Sequence, residues 1–163
     1  MPVTPISIIN QDAVLPSGDQ CHVTLFKPAE PLSQLSLPLF TSKVPAGFPS
    51  PANDYIEKNL DLNELMIQNP AATFFARAQG YSMINAGILP GDILVINRAL
   101  DPQPNSIVVC VLNDEFTVKR LVNDNGQWQL HAENPEFPPI ELTEDSEMQV
   151  WGVVTHAIHS FKG

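Results

Sequence analysis

Short apolar runs separated by tight turns fill the C-terminal half of the chain. Residues 106–112 and 115–122 are two such runs, and only Asn113 and Asp114 separate them. A two-residue connection of this kind is typical of a β-hairpin, in which the flanking strands pair in antiparallel fashion. Further strands are predicted at residues 92–97, at residues 127–131 after a turn at residues 123–126, and at residues 150–158. The pattern predicts a mainly β fold, a compact and twisted β-rich domain with one or two short helices.

The segment that precedes these strands carries a helical pattern of apolar residues. Residues 55–66 place apolar side chains at helical spacing, and Asn53 or Asp54 is suited to cap the start of a helix there. We expect this helix to be interrupted near Asp61 and to end at the Asn-Pro pair of residues 69–70. This segment supplies the main helical element that the sequence predicts.

Composition separates the first 46 residues from the remainder. Seven of the 16 prolines lie in residues 1–46, and the acidic and basic residues of this segment nearly balance. Its regular patterns are a short edge strand at residues 23–26 and an apolar segment at residues 35–40. We therefore expect residues 1–46 to form an extended, flexible N-terminal arm and residues 47–163 to form the folded domain.

The net charge and the spacing of the cysteines and histidines argue against direct DNA binding and against a metal site. The chain has 18 acidic and 8 basic residues, a net charge of −10, whereas direct DNA binding needs clustered Lys and Arg. The two cysteines and four histidines show no zinc-like spacing, so we expect no metal and no other cofactor. We find no signal-peptide pattern and no apolar run of about 18 residues, the length that spans a bilayer. We therefore expect a cytoplasmic protein without a membrane segment.

Ser82 is a candidate nucleophile. It follows the predicted strand of residues 72–78 and Gly80, and it opens a predicted helical turn at residues 82–86 that Gly87 closes. In this position the hydroxyl is expected to be exposed, and the backbone N–H groups of Tyr81 and Ser82 could stabilise an oxyanion. The alternative is that Ser82 only caps the turn, and the local pattern by itself favours that alternative.

Lys119 is the candidate base for this serine. Strand alternation places it on the same face as Thr117 and Leu121. A serine hydroxyl needs a neighbour that accepts its proton, and a lysine can do so only when burial keeps its amine neutral. A lysine in mid-strand is more often a charged, solvated residue at a sheet edge, and spacing alone favours that alternative.

Three motifs in order carry a family resemblance. They are Gly-Tyr-Ser-Met at residues 80–83, Gly-Ile-Leu-Pro-Gly-Asp at residues 87–92 and Glu-Phe-Thr-Val-Lys-Arg-Leu at residues 115–121. With further matches between residues 25 and 161, the chain resembles the LexA/UmuD family of self-cleaving serine peptidases, and its UmuD-like members in particular. The resemblance implies a LexA-like peptidase domain that cuts its own chain.

The same resemblance implies which residues act. Ser82 would be the nucleophile, Lys119 the general base, and the peptide bond between Ala46 and Gly47 the bond that is cut. Pro45 departs from what we expect beside this bond, because a proline cannot donate a backbone hydrogen bond if the arm docks as an added strand. This departure bears on the efficiency of cleavage rather than on the identity of the bond.

The resemblance also implies a role in the SOS response to DNA damage. A RecA filament on single-stranded DNA would stimulate self-cleavage. The product would act as a homodimer and join a Y-family polymerase subunit (UmuC-like) in an error-prone translesion DNA polymerase, which links the protein to DNA repair and SOS mutagenesis. Two alternatives stay open: a LexA-like self-cleaving transcriptional repressor, for which residues 1–46 are too short and proline-rich to hold a helix-turn-helix, and a non-enzymatic acidic β-rich interaction module.

Overall fold

The structure consists of two compact units. The computed structural model describes residues 22–28, 34–40 and 56–162. The larger unit contains residues 22–28 and 69–162, and the smaller contains residues 34–40 and 56–68. The predicted boundary between the arm and the folded domain, at residues 46 and 47, lies outside the described residues and stays a prediction.

The described residues form ten strands and one α-helix. In chain order they are β1 (His22–Phe26), β2 (Ser36–Phe40), β3 (Ile56–Asp61), α1 (Leu62–Met66), β4 (Thr73–Gln79), β5 (Ile93–Asn97), β6 (Ile107–Leu112), β7 (Glu115–Asp124), β8 (Gln127–His131), β9 (Ile140–Glu141) and β10 (Met148–Ile158). Short 3-10 turns lie at Pro70–Ala72 and Ile84–Ala86. The mainly β prediction is confirmed.

The larger unit is one antiparallel sheet of eight strands in the order β1-β4-β5-β10-β6-β7-β8-β9. Two of its hairpins turn where the sequence predicts. Asn113 and Asp114 have φ of 50° and 65°, and Asn125 and Gly126 have φ of 50° and 89°. Positive φ at both central residues matches the twist of the flanking strands. The sheet curves enough to bring β1 close to β7.

Trp151, on β10, anchors one of the two buried apolar clusters that the described residues form. Its ring meets that of Phe74 edge-on, with centroids 4.9 Å apart. Met83 and Ile88 are buried in the same cluster. The second cluster is formed by Val108, Cys110, Leu121, Leu130, Leu142, Met148, Val150 and Val153. Because Met83 and Ile88 belong to the chain just after Ser82, their burial holds the Ser82 turn against the sheet.

The smaller unit corrects the helix prediction. Residues 56–61 form β3, which pairs in antiparallel register with β2; the expectation of a helix there is wrong. Pairing with β2 supplies hydrogen-bond partners along one side of this strand, and such tertiary pairing overrides a helical pattern of side chains. The proposed caps, Asn53 and Asp54, lie outside the described residues.

Asp61 is where the helix begins. Its carboxylate accepts hydrogen bonds from the N–H groups of Asn63 and Glu64, the usual arrangement of a helix N-cap. It also accepts the N–H of Leu35 at 2.8 Å. These backbone bonds, with that of Leu35 the largest influence, lower the pKa of Asp61. The break predicted near Asp61 is therefore the point where a strand changes into a short helix.

Membrane-spanning helices are not found in the three described ranges, since none of their helices has the length and apolar character that a bilayer requires.

Candidate active site

The Ser82 turn connects β4 to β5. β4 ends at Gln79, and Gly80 then adopts φ of 86°, which lets the chain turn sharply away from the sheet. The 3-10 turn Ile84–Ala86 follows and is closed by Gly87 at φ of 83°. The predicted order of strand, serine, short turn and glycine is confirmed.

Ser82 does not cap that turn. The N-cap position belongs to Met83, and no side chain makes a capping hydrogen bond there. The alternative that the local pattern favoured is therefore wrong. The expected exposure of the hydroxyl is also wrong, because Ser82 is fully buried at 0% exposure. Burial arises from the packing of the turn onto the sheet, which brings Ser82 to the side chain of Lys119.

Lys119 is buried in the middle of β7 at 2% exposure. Its Nζ lies 3.1 Å from Oγ1 of Thr117, 3.3 Å from the carbonyl oxygen of Val118 and 3.5 Å from Oγ of Ser82. Lys119 and Thr117 therefore share a face, as the strand alternation predicts. The alternative of a solvated edge residue is wrong, because β7 is an interior strand between β6 and β8.

The contacts of the amine described above are to uncharged oxygens, two hydroxyls and one backbone carbonyl. Burial in general disfavours an ammonium, whereas hydrogen bonds to such acceptors favour it. Cys110 lies on β6 directly opposite Thr117 and is fully buried. Burial raises the pKa of the Cys110 thiol to about 12, with a smaller opposing influence from Lys119. The thiol is therefore neutral at ordinary pH.

The arrangement is suited to proton transfer between serine and lysine. A base that activates a hydroxyl sits within about 2.6–3.2 Å of it, and the distance is often longer before the substrate is aligned. The 3.5 Å between Lys119 Nζ and Ser82 Oγ fits the longer case. The two residues stand 37 positions apart in the chain, so the fold alone brings them together.

The remaining predicted site residues are Tyr81, Ala46 and Gly47. Tyr81 is 61% exposed, and its backbone carbonyl oxygen accepts a hydrogen bond from Nδ2 of Asn134 at 2.9 Å. Ala46 and Gly47, the predicted cleavage site, lie outside the described residues. Asn134 was not predicted as a site residue, because the Asn-Pro pair at residues 134–135 signals only a turn.

A histidine–carboxylate pair was also missed. Nδ1 of His159 lies 2.6 Å from Oδ1 of Asp92, and Oδ2 of Asp92 accepts the N–H of Leu89 at 2.9 Å. Sequence separation hides this pair, since the two residues stand 67 positions apart. Within the described ranges no group of three His, Cys, Asp or Glu residues is placed to bind a metal ion.

A buried serine–lysine pair on a β-rich scaffold defines a class of candidate serine peptidases. The sequence profile of the family described as peptidase S24-like matches residues 38–155, and the chain belongs to this family. The resemblance to the LexA/UmuD peptidases that the motifs indicated is thereby confirmed, with UmuD-like proteins as the nearer group.

Several curated proteins are similar over most of their length. Protein ImpA of Salmonella typhimurium is 46% identical over 145 residues, which cover 88% of this chain and 89% of ImpA. Protein MucA of Escherichia coli is 41% identical over 124 residues, 76% of this chain and 84% of MucA. The LexA repressor of Bordetella pertussis is 36% identical over 150 residues, 91% of this chain but 65% of the repressor.

Proposed function

We propose that this chain is a UmuD-like protein of SOS mutagenesis that cuts itself between Ala46 and Gly47, with Ser82 as nucleophile and Lys119 as general base. The observation that carries the proposal is the contact of 3.5 Å between two buried side chains, Lys119 Nζ and Ser82 Oγ. Membership of a peptidase family supports it.

The reaction has two stages. Neutral Lys119 takes the proton of the Ser82 hydroxyl as Oγ attacks the carbonyl carbon of Ala46, and the N–H groups of Tyr81 and Ser82 stabilise the oxyanion. The C–N bond then breaks, and Lys119 gives its proton to the departing amine of Gly47. In the second stage water attacks the ester, and Lys119 takes a proton from that water. The bond between the acyl carbon and Oγ then breaks, and Lys119 passes the proton to Oγ, which restores the hydroxyl of Ser82. No cofactor enters either stage.

Docking of the arm controls the rate in this proposal. The bond to be cut belongs to the same chain, so the fraction of molecules with the arm in the site sets the rate. A partner that stabilises the docked arrangement raises that fraction, by up to about a thousandfold if one molecule in a thousand is docked. We propose a RecA filament on single-stranded DNA as this partner. The net charge of −10 fits contact with a protein filament rather than with DNA itself.

The product, residues 47–163, would act in the cytoplasm as a homodimer bound to a Y-family polymerase subunit (UmuC-like), as part of an error-prone translesion DNA polymerase. The similarity to ImpA and MucA, at 46% and 41% identity, supports the coarser assignment to UmuD-like proteins of SOS mutagenesis, on which this part of the proposal builds.

Alkaline incubation of the purified chain tests the dyad. High pH favours the neutral amine of Lys119, so the unaltered protein should break after Ala46, and mass spectrometry should find a product that begins at Gly47. Ser82→Ala and Lys119→Ala should both remain intact. Ser146→Ala, at a half-buried loop serine, is the matched control and should cleave like the unaltered protein. Cleavage that persists in Ser82→Ala contradicts the assignment.

A LexA-like repressor is the second candidate, because the LexA repressor of Bordetella pertussis is 36% identical over 150 residues. A gel-shift assay with duplex DNA separates the two, since a repressor binds its operator before cleavage and a UmuD-like protein does not. A non-enzymatic interaction module predicts no break after Ala46 in any variant.

A further inference from the structure

A short segment after β8 holds the Ser82 turn at two points. Nδ2 of Asn134 donates to the carbonyl oxygen of Tyr81 at 2.9 Å, and the N–H of Asn85 donates to the carbonyl oxygen of Glu133 at 2.9 Å. The two bonds lie on either side of Ser82 in the chain. They therefore hold both ends of the turn that carries the nucleophile.

The Asn134 side chain is itself held in place. It is buried at 7% exposure. Its Oδ1 accepts the N–H of Glu136 at 3.0 Å, and its backbone carbonyl accepts the N–H of Phe137 at 3.0 Å. With Oδ1 occupied by its own turn, Nδ2 has a fixed direction towards Tyr81.

The same segment is tied to the strand of the base. The carboxylate of Glu133 pairs with the guanidinium of Arg120, the residue next to Lys119 on β7. Nη1 of Arg120 also donates to the carbonyl oxygen of Asn105 at 2.7 Å. Residues 133–134 therefore connect the strand that carries Lys119 to the turn that carries Ser82.

The hydrogen bond to Tyr81 acts on a peptide group that matters for the reaction. The carbonyl of Tyr81 and the N–H of Ser82 belong to one peptide bond, and in a planar trans peptide they point in opposite directions. A donor that holds the oxygen therefore sets the direction of the N–H. It also polarises the peptide group, which makes that N–H a stronger donor.

We propose that Asn134 is a positioning residue, which orients the Ser82 N–H towards the oxyanion that forms during self-cleavage. This inference rests on the proposed function. Asn134 touches no reacting atom, and its effect passes through the Tyr81–Ser82 peptide. Loss of its Nδ2 leaves the N–H of Ser82 present but removes the hydrogen bond that holds its peptide group in this orientation.

The test compares Asn134→Ser with Asn97→Ser in the full chain. A serine hydroxyl at either position still accepts the N–H two residues on but is too short to replace the amide donor. Asn97 is an equivalent buried asparagine at 4% exposure. Its Oδ1 accepts the N–H of Ala99 at 2.9 Å, and its Nδ2 donates to Oδ1 of Asn69 at 2.8 Å. The first-order rate of cleavage is measured from pH 7 to pH 11, together with thermal unfolding.

Asn134→Ser should lower the maximal rate about 10- to 100-fold, because loss of a whole oxyanion donor lowers rates by about 100- to 1,000-fold. The pH at half-maximal rate should not change, since the surroundings of Lys119 are unaltered. Asn97→Ser should keep both values. An unchanged maximal rate in Asn134→Ser overturns the proposal. A shift of the pH at half-maximal rate to higher pH also overturns it, because that result indicates general loosening that lets water reach Lys119.

Asn134→Asp provides a second variant if the serine variant does not fold. The aspartate keeps the shape and the acceptor but removes the donor, so the maximal rate should again fall at least tenfold, and an unchanged rate contradicts the proposal. The unaltered chain and Ser82→Ala distinguish the two levels of the argument. If the unaltered chain does not cleave, the proposed function is wrong, and the role of Asn134 is wrong with it. If it cleaves and Asn134→Ser cleaves equally fast, only the role of Asn134 is wrong.

Discussion

Thr117→Val should slow self-cleavage while leaving the fold intact. The hydroxyl of Thr117 lies 3.1 Å from Nζ of Lys119, closer than the 3.5 Å that separates Nζ from Ser82 Oγ. Thr117 is buried at 7% exposure, and valine has nearly the same shape as threonine. The substitution therefore removes the contact between this hydroxyl and the amine while keeping the shape of the side chain.

The magnitude follows from the strength of one buried hydrogen bond. Such a bond contributes about 0.5–1.5 kcal/mol net. If all of this free energy serves to keep Nζ beside Ser82, the rate should fall about 2- to 12-fold. The midpoint of thermal unfolding should fall by about 2–4 °C for each kcal/mol of stability lost.

The assay is the first-order rate of cleavage at alkaline pH, followed by mass spectrometry. The matched control is Thr73→Val on β4, where a threonine buried at 1% exposure donates to the carbonyl oxygen of Asn69 at 2.7 Å. This variant should lose similar stability but cleave at the normal rate. A Thr117→Val protein that cleaves as fast as the unaltered chain refutes the reasoning.

Two further predictions concern the core. Gly152→Ala should destabilise the protein by about 1–3 kcal/mol, because a Cβ there would lie 2.6 Å from Cγ2 of Ile96. Urea unfolding measures this loss, and an unchanged unfolding midpoint contradicts the close contact. In a Cys21→Ser background, Cys110 should resist iodoacetamide at pH 8 in the folded protein and react in urea, since burial raises the pKa of its thiol to about 12. The folded state binds the thiol proton of Cys110 more tightly than the unfolded chain does. The contribution of this difference to the free energy of unfolding is therefore present below about pH 8.5 and is lost as pH rises towards 12. Rapid labelling of the folded protein at pH 8 is the contrary result.

The sequence by itself determined the local geometry of the sheet. At Asn113 and Asp114 the turn depends on residues that tolerate positive φ, a property that these residues carry with them wherever the chain goes. Alternation along β7 likewise places Lys119 beside Thr117 without reference to any other strand. Three motifs in order between residues 80 and 121 were enough to indicate the peptidase family.

Only the tertiary structure decided which of these residues work together. Burial of Lys119 depends on the strands that surround β7, and its contact with Ser82 depends on a turn 37 residues away. Residues 56–61 became a strand because β2 supplied partners for their backbone groups. The role that we propose for Asn134 also depends on a contact made only after folding. Backbone preference is encoded within a few neighbouring residues, whereas burial and alignment are set by residues that are distant in the chain.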